Sequence, residues 1–303
     1  MRKTIIQSGA QAGWTLRDAG FGTSTIYTVD SDDHFIIAAG SSGKLFTSTD
    51  GLFWQQQNSQ FASTLILHVA TDGPRYVAVG GGGKLCSSQD AYYWQTVTDS
   101  SNNTFSSSRN IRKCCYDGLY VAVGDGGQIG TSSNAVQWTQ RSSSFGSTNI
   151  YSVCADLHGY KAVGAGGKMA ASANGISWSQ YSAGFGSADI RGICYQHQLN
   201  MHVIVGSEGK IATSVNGNSF VQRASGFGAA DIIYDVCYGK NEFVAVGTNG
   251  KIATSVDGIN WLMQEGGFGS ATIYGITYSN DLYVAVGEGG LLATAQNPTI
   301  SAR

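Results

Sequence analysis

The chain has 303 residues, of which 42 % are apolar, with 42 Gly and only 2 Pro. That is apolar enough for a packed core, and the glycine content points to many short strands joined by tight turns rather than to disorder. Lys and Arg total 18 against 20 Asp and Glu, so there is no overall field to recruit nucleic acid, and no run approaches the roughly 18 apolar residues of a membrane span.

In chain order, the opening MRKTIIQSGAQAGW offers only Thr4 to Ile6 as an apolar stretch, far short of a secretory h-region. The expectation is synthesis in the cytoplasm without a signal peptide. Next comes Trp14-Thr15-Leu16-Arg17, which reads like Trp138-Thr139-Gln140-Arg141 further on.

From there the chain repeats. Val-Ala-Val-Gly or a close variant ends at Gly40, Gly80, Gly124, Gly164, Gly206, Gly247 and Gly287, in steps of 40, 44, 40, 42, 41 and 40 residues. A period of about 40 with a four-strand pattern signals propeller blades. Each unit supplies strand A (IYSVC in the fourth), strand B (YKAVG), strand C (KMAAS) and strand D (WSQY), with Gly- and Asx-rich turns between them. The seventh unit provides LLATAQN after Gly287 but no aromatic strand D. Residues of about 13–17 are therefore expected to complete blade seven, removing the exposed edges of an open sheet. The predicted fold is all-β: one seven-bladed β-propeller domain over 1–303.

The turn between strands C and D carries an Asx in every unit: Asp50, Asp90, Asn134, Asn174, Asn216, Asp257 and Asn297. The aromatic that begins strand D is Trp14, Trp54, Trp94, Trp138, Trp178, Phe220 or Trp261, which uses every Trp in the chain. Seven near-equivalent copies describe a structural staple, whereas a catalytic residue is needed once. The Ser-x-Asp-Gly-x-x-Trp wording, as in Ser255, Asp257, Gly258 and Trp261, resembles the Asp-box, or BNR, repeat. Related propellers include sialidases, photosystem assembly factors, sortilin-type receptors and repeat proteins of tailed-phage virions. The phrase YVAVG-x-x-GKIATS-x-DG-x-x-W looks most like the last group, which implies a virion or tail-associated surface protein.

Cys115, Cys154, Cys194 and Cys237 occupy one strand A slot in units three to six, filled by Asp30, Ala70 and Thr277 elsewhere. A disulfide needs Cα atoms within about 7 Å, less than neighbouring blades are expected to allow, and no CxxC pair suggests a metal. Six buried free thiols are expected, with Cys114 facing away from Cys115. No cofactor or metal is expected.

A sialidase would need an arginine cluster, a Tyr–Glu nucleophile pair and an Asp. The four Glu, at 208, 242, 265 and 288, do not begin any strand A beside such a cluster. Arg17, Arg141 and Arg223 share one outer-strand position and read as amide-like or salt-bridging surface partners. The chain is thus expected to be no enzyme; a sialidase-like glycoside hydrolase built from carboxylates of different blades is the alternative.

If strand A runs down from the top face, the D–A loops and B–C turns share that face. The top then collects Tyr27, Leu67, Arg112, Tyr151, Arg191, Tyr234 and Tyr274 from the starts of strands A. It also collects Lys44, Lys84, Gln128, Lys168, Lys210, Lys251 and Leu291 from the B–C turns. Tyr and Arg offer flat apolar area with hydrogen-bonding tips, and these tyrosines, arginines and five lysines are the candidate ligand-binding residues. The alternative is that the tyrosines pack between blades and the lysines solvate turns. The period-breaking loop from Thr98 to Asn110 is a further candidate contact. The functional expectation is a binding or structural propeller of a virion or similar extracellular surface assembly. Its partner would be a host-surface glycan or another virion protein, with no nucleic acid and no membrane insertion.

Overall fold

The computed structural model describes residues 13–97 and 105–296. They form seven four-stranded antiparallel sheets, each ordered A-B-C-D. Blade four is typical, with strands Ile150–Asp156, Gly159–Gly164, Lys168–Ser172 and Ser179–Ser182. Blade seven is composite. Its strands Ile273–Ser279, Leu282–Gly287 and Leu292–Ala295 are completed by Thr15–Arg17, which pairs Thr15 with Thr294 and Arg17 with Leu292. The seven-bladed propeller and its closure by the N-terminal strand are as the repeat predicts.

Strand B is the core of each blade. Tyr120–Gly124 and Glu242–Gly247 are buried at every position, because both faces of a middle strand meet neighbouring blades. A strand buried on both faces reads as a continuous β-branched and small-residue run rather than an alternating one. The closing glycine of that run has a steric cause. A Cβ on Gly40, Gly124 or Gly206 would meet the carbonyl oxygen that precedes strand A at 2.1, 2.3 or 2.0 Å, so only glycine lets strands A and B approach there. Between blades, apolar clusters join the B and C strands to a Phe of the D–A loop, such as Phe61, Phe145 and Phe268.

The C–D hairpins show why Asx recurs. Asp257 Oδ1 accepts the Ile259 and Asn260 N–H groups at 2.8 Å each and the Ser255 hydroxyl at 3.0 Å. Asn134, Asn174 and Asn216 do the same with their own turns. The following residue is left-handed in every described hairpin, including Ala91 and Ala135 at φ of 62° and 61°. The indole of Trp54, Trp94, Trp138, Trp178 or Trp261 then donates to that residue's carbonyl at 2.9–3.3 Å. In blade five Phe220 has no N–H to give, and the Gly217 carbonyl accepts the Tyr181 hydroxyl of blade four instead, at 2.7 Å. Asn297 of the seventh hairpin lies outside the described residues.

Candidate binding site at the channel mouth

Every strand A carries one irregularity, at the same place. The ladder to strand B shifts register between Ile26 and Thr28, between Ile111 and Lys113, between Ile150 and Ser152, and likewise in the other four blades. The skipped residues are Tyr27, Leu67, Arg112, Tyr151, Arg191, Tyr234 and Tyr274. A bulged residue has no cross-strand partner and its side chain is re-aimed. Here all seven turn inward and together enclose a cavity of about 200 Å³ at the mouth of the central channel. The ring expected from the sequence is therefore assembled, though the bulge that aims it was not foreseen.

The ring has two halves. On one side Tyr151 lies between two guanidinium groups, with Arg112 Cζ 5.2 Å and Arg191 Cζ 4.1 Å from its ring centroid. Asp125 holds Arg112 at 2.5 Å, and Asp189 holds Arg191 at 2.8 Å. The buried Nε of Arg191 has no hydrogen-bond partner. On the other side Tyr274 stacks obliquely on Tyr27 and Tyr234, at 5.4 and 4.9 Å between centroids. Its hydroxyl donates to Glu288 at 3.2 Å. Burial first, then the Glu288 charge, pushes that hydroxyl up to about 12, so it remains a donor.

The five lysines are arranged differently from the expectation. Lys44, Lys84, Lys168 and Lys210 donate Nζ to the carbonyls of Phe21, Phe61, Phe145 and Phe185, and Lys251 reaches Asp231 at 2.5 Å. They tie each B–C turn to the loop before strand A, and none lines the mouth cavity. A long flexible side chain goes to the nearest unsatisfied carbonyl, which a repeat pattern does not reveal. Of the period-breaking loop, residues 98–104 lie outside the described residues. Phe105 is a core residue of blade three and Arg109 donates to the Gly126 carbonyl at 3.1 Å.

Below the mouth the channel widens to about 580 Å³ and becomes charged. Lys113 lies 3.7 Å from Asp235. Burial works against its ammonium, but Asp235 and Asp30 outweigh it, so the group stays protonated. Asp30 accepts the Thr71 N–H of blade two, Asp72 that of Tyr116 in blade three, and Asp235 that of Ile276 in blade seven. These carboxylates clip neighbouring inner strands together. Burial, then the Asp72 charge, pushes Asp30 up to about 7 against its bonds from Ser31 and Thr71 and the Lys113 charge. Burial, with Lys113 behind it, holds His68 well below its ordinary value and hence neutral.

All six cysteines are free. Cys86, Cys114 and Cys115 are buried, but Cys154, Cys194 and Cys237 are half-buried rather than sealed in the core, where they line the channel. Arg17, Arg141 and Arg223 each donate Nε to a strand C threonine hydroxyl at 2.9 Å, the amide-like role. Among the described residues no group of three His, Cys, Asp or Glu is placed to hold a metal, and no helix is long and apolar enough to cross a membrane.

Fold and site together define a seven-bladed propeller whose channel mouth is a composite of one bulged residue per blade. No protein-family model and no curated protein matches the chain. Among solved structures it is similar to YCF48 from Cyanidioschyzon merolae, with 16 % identity, TM-score 0.72 and coverage of 94 % of this chain and 98 % of that one. It is also similar to YCF48 bound to D1 peptide, with 17 % identity, TM-score 0.74 and coverage of 95 % and 96 %. Virginiamycin B lyase from Staphylococcus aureus gives 9 % identity, TM-score 0.80 and coverage of 95 % and 99 %. At these identities the likeness is one of fold, and the site must speak for itself.

Proposed function

We propose that this propeller is a non-enzymatic binding module that recognises its partner at the channel mouth. One observation carries it: seven bulged side chains converge on one cavity and include Arg191, whose buried Nε has no partner. An unpaired buried donor costs roughly 1–3 kcal/mol, a cost a ligand oxygen would remove. The acids beside the mouth, Asp125, Asp189 and Glu288, are engaged by Arg112, Arg191 and Tyr274, and so they position binding groups rather than stand free for acid–base work.

The partner is a host-surface glycan or a neighbouring structural protein of a virion or similar surface assembly, as the resemblance of the hairpins to Asp-box repeats of tailed-phage proteins implies. That a propeller of this fold is described with a bound peptide supports a protein partner. The test uses glycan arrays and capture on intact particles, with Arg191→Gln and the pair Tyr234→Ala and Tyr274→Ala. Loss of binding with an unchanged melting temperature supports the proposal, and binding that survives both changes overturns it. Turnover of a glycoside that is abolished by replacing one channel carboxylate would establish the hydrolase alternative instead.

A further inference from the structure

We infer that the face opposite the mouth carries a second site, a groove between the C–D hairpins of blades one and two that takes the cationic side chains of an extended basic peptide. The repeat itself supplies the control. Between the Asx pair and the strand D aromatic, the described hairpins carry Leu52-Phe53, Tyr92-Tyr93, Val136-Gln137, Ile176-Ser177, Asn218-Ser219 and Ile259-Asn260. Four hairpins fold with Gln, Ser, Ser or Asn at the second position, so the turn does not need an aromatic there. Phe53 and Tyr93 nevertheless fill it, 81 % and 79 % exposed. Single exposed apolar residues are ordinary, but here the same register is aromatic and exposed on two adjacent blades.

Phe53 lines a groove between the two hairpins. Phe53 and Trp54 of the first hairpin and Tyr92 of the second enclose about 230 Å³ with Phe35, Thr47 and Gln55. Phe35 forms the floor, edge-on to Tyr92 at 5.3 Å and to Tyr76 at 6.2 Å. Its counterparts five residues before the closing glycine of strand B in the other blades are Arg75, Leu119, Gly159, Met201, Glu242 and Leu282, so among the described residues the aromatic box exists at this junction alone. The walls are rigid. Asp50 Oδ1 accepts the Leu52 and Phe53 N–H groups at 2.8 and 3.0 Å, and Asp90 Oδ1 those of Tyr92 and Tyr93 at 3.0 and 2.8 Å. Rings presented by a fixed backbone lose little entropy when a ligand arrives.

Charge selects the occupant. The three segments that supply the groove's lining, 31–35, 47–55 and 87–94, contain Asp32, Asp33, Asp50 and Asp90, with His34 and no Lys or Arg, and these four carboxylates lie outside the lining itself. Hydrogen bonds from the Phe53 and Tyr93 N–H groups hold the Asp50 and Asp90 carboxyls below their ordinary range, so both remain anionic. Aromatic faces carried on hairpins whose turns hold fixed carboxylates attract a guanidinium or ammonium, Arg above all because it stacks and pairs bidentately. A neutral sugar would use the rings and leave the carboxylates without counter-charge. The mouth, by contrast, is lined by the guanidinium groups of Arg112 and Arg191.

The experiment follows the Trp54 indole N–H, inside the groove, in the full ¹⁵N-labelled chain. The probe is an N-acetylated, C-amidated peptide of alternating Arg and Gly, beside its Glu counterpart and a neutral oligosaccharide. The Arg peptide alone should shift that signal saturably, and more weakly as salt is raised. Phe53→Gln with Tyr92→Val installs the residues of blade three's hairpin. Asp50→Asn with Asp90→Asn keeps both caps and removes their charge. Each pair should weaken binding about tenfold or more while the mouth partner still binds. No saturable shift, wild-type affinity in either variant, or an oligosaccharide that binds as well as the Arg peptide would overturn the inference.

Discussion

Arg17 donates its Nε–H to the Thr294 hydroxyl at 2.9 Å across 277 residues of chain. The same bond joins Arg141 to Thr131 and Arg223 to Thr213 across only ten, so the closing contact is an ordinary blade contact made by distant chain. Deleting residues 1–17 uncovers the strand Leu292–Ala295, whose backbone groups would then template pairing with another molecule. Light scattering should show aggregation, or calorimetry a lower melting temperature. A truncated chain that stays monomeric with unchanged melting would contradict this closure role.

Asp257→Ala removes an acceptor shared by three donors. It should cost about 1–2 kcal/mol in denaturant unfolding, the usual loss for a turn-capping bond. Asp257→Asn should cost much less, because Asn134, Asn174 and Asn216 already do this work.

Asp30 gives the stability a definite pH slope. Its carboxyl titrates at about 7 when folded, against 3.8 for the ordinary group, so between those values the folded chain binds the extra proton. Stability from this group therefore falls as pH rises from about 4 through 7 and stays lower above. Asp30→Asn should abolish this slope, which the rise from 3.8 to about 7 makes worth up to about 4 kcal/mol between pH 4 and pH 8, and so gain on the wild type as pH rises. A variant less stable than the wild type at pH 8 would show that the charged form is favoured.

Six thiols should react after denaturation without reductant, since all are free. In the folded chain they should react far more slowly. Burial pushes Cys86 up to about 11 and Cys194 up to about 12, and raises the others as well, which leaves little thiolate at neutral pH. Fewer than six equivalents would indicate a disulfide.

The blades were legible because strand period, a closing glycine and the Asx turn recur together, and the mouth ring because strand direction alone decides which ends share a face. The roles of Lys44 and Lys251 were not, since the end point of a flexible side chain depends on which acceptor lies within reach. Phe35, Phe53 and Tyr92 left a signal that was passed over: LFW and YYW precede strand D in two units where the others read VQW, ISW, NSF and INW. Departures from the repeat, rather than its consensus, mark where one blade does something the others do not.

The bulge in strand A has a consequence for how such a protein can change. Tyr27, Leu67, Arg112 and the other four mouth residues sit opposite no partner in the ladder, so replacing any of them leaves the sheet's pairing and the glycine-tight contact of strands A and B untouched. Strand pairing and the lining of the mouth are thereby written in separate positions of the same strand. The lining can change side chain by side chain on an unaltered ladder, with each replacement felt by its neighbours in the ring, as one at Tyr151 would be by Arg112 and Arg191.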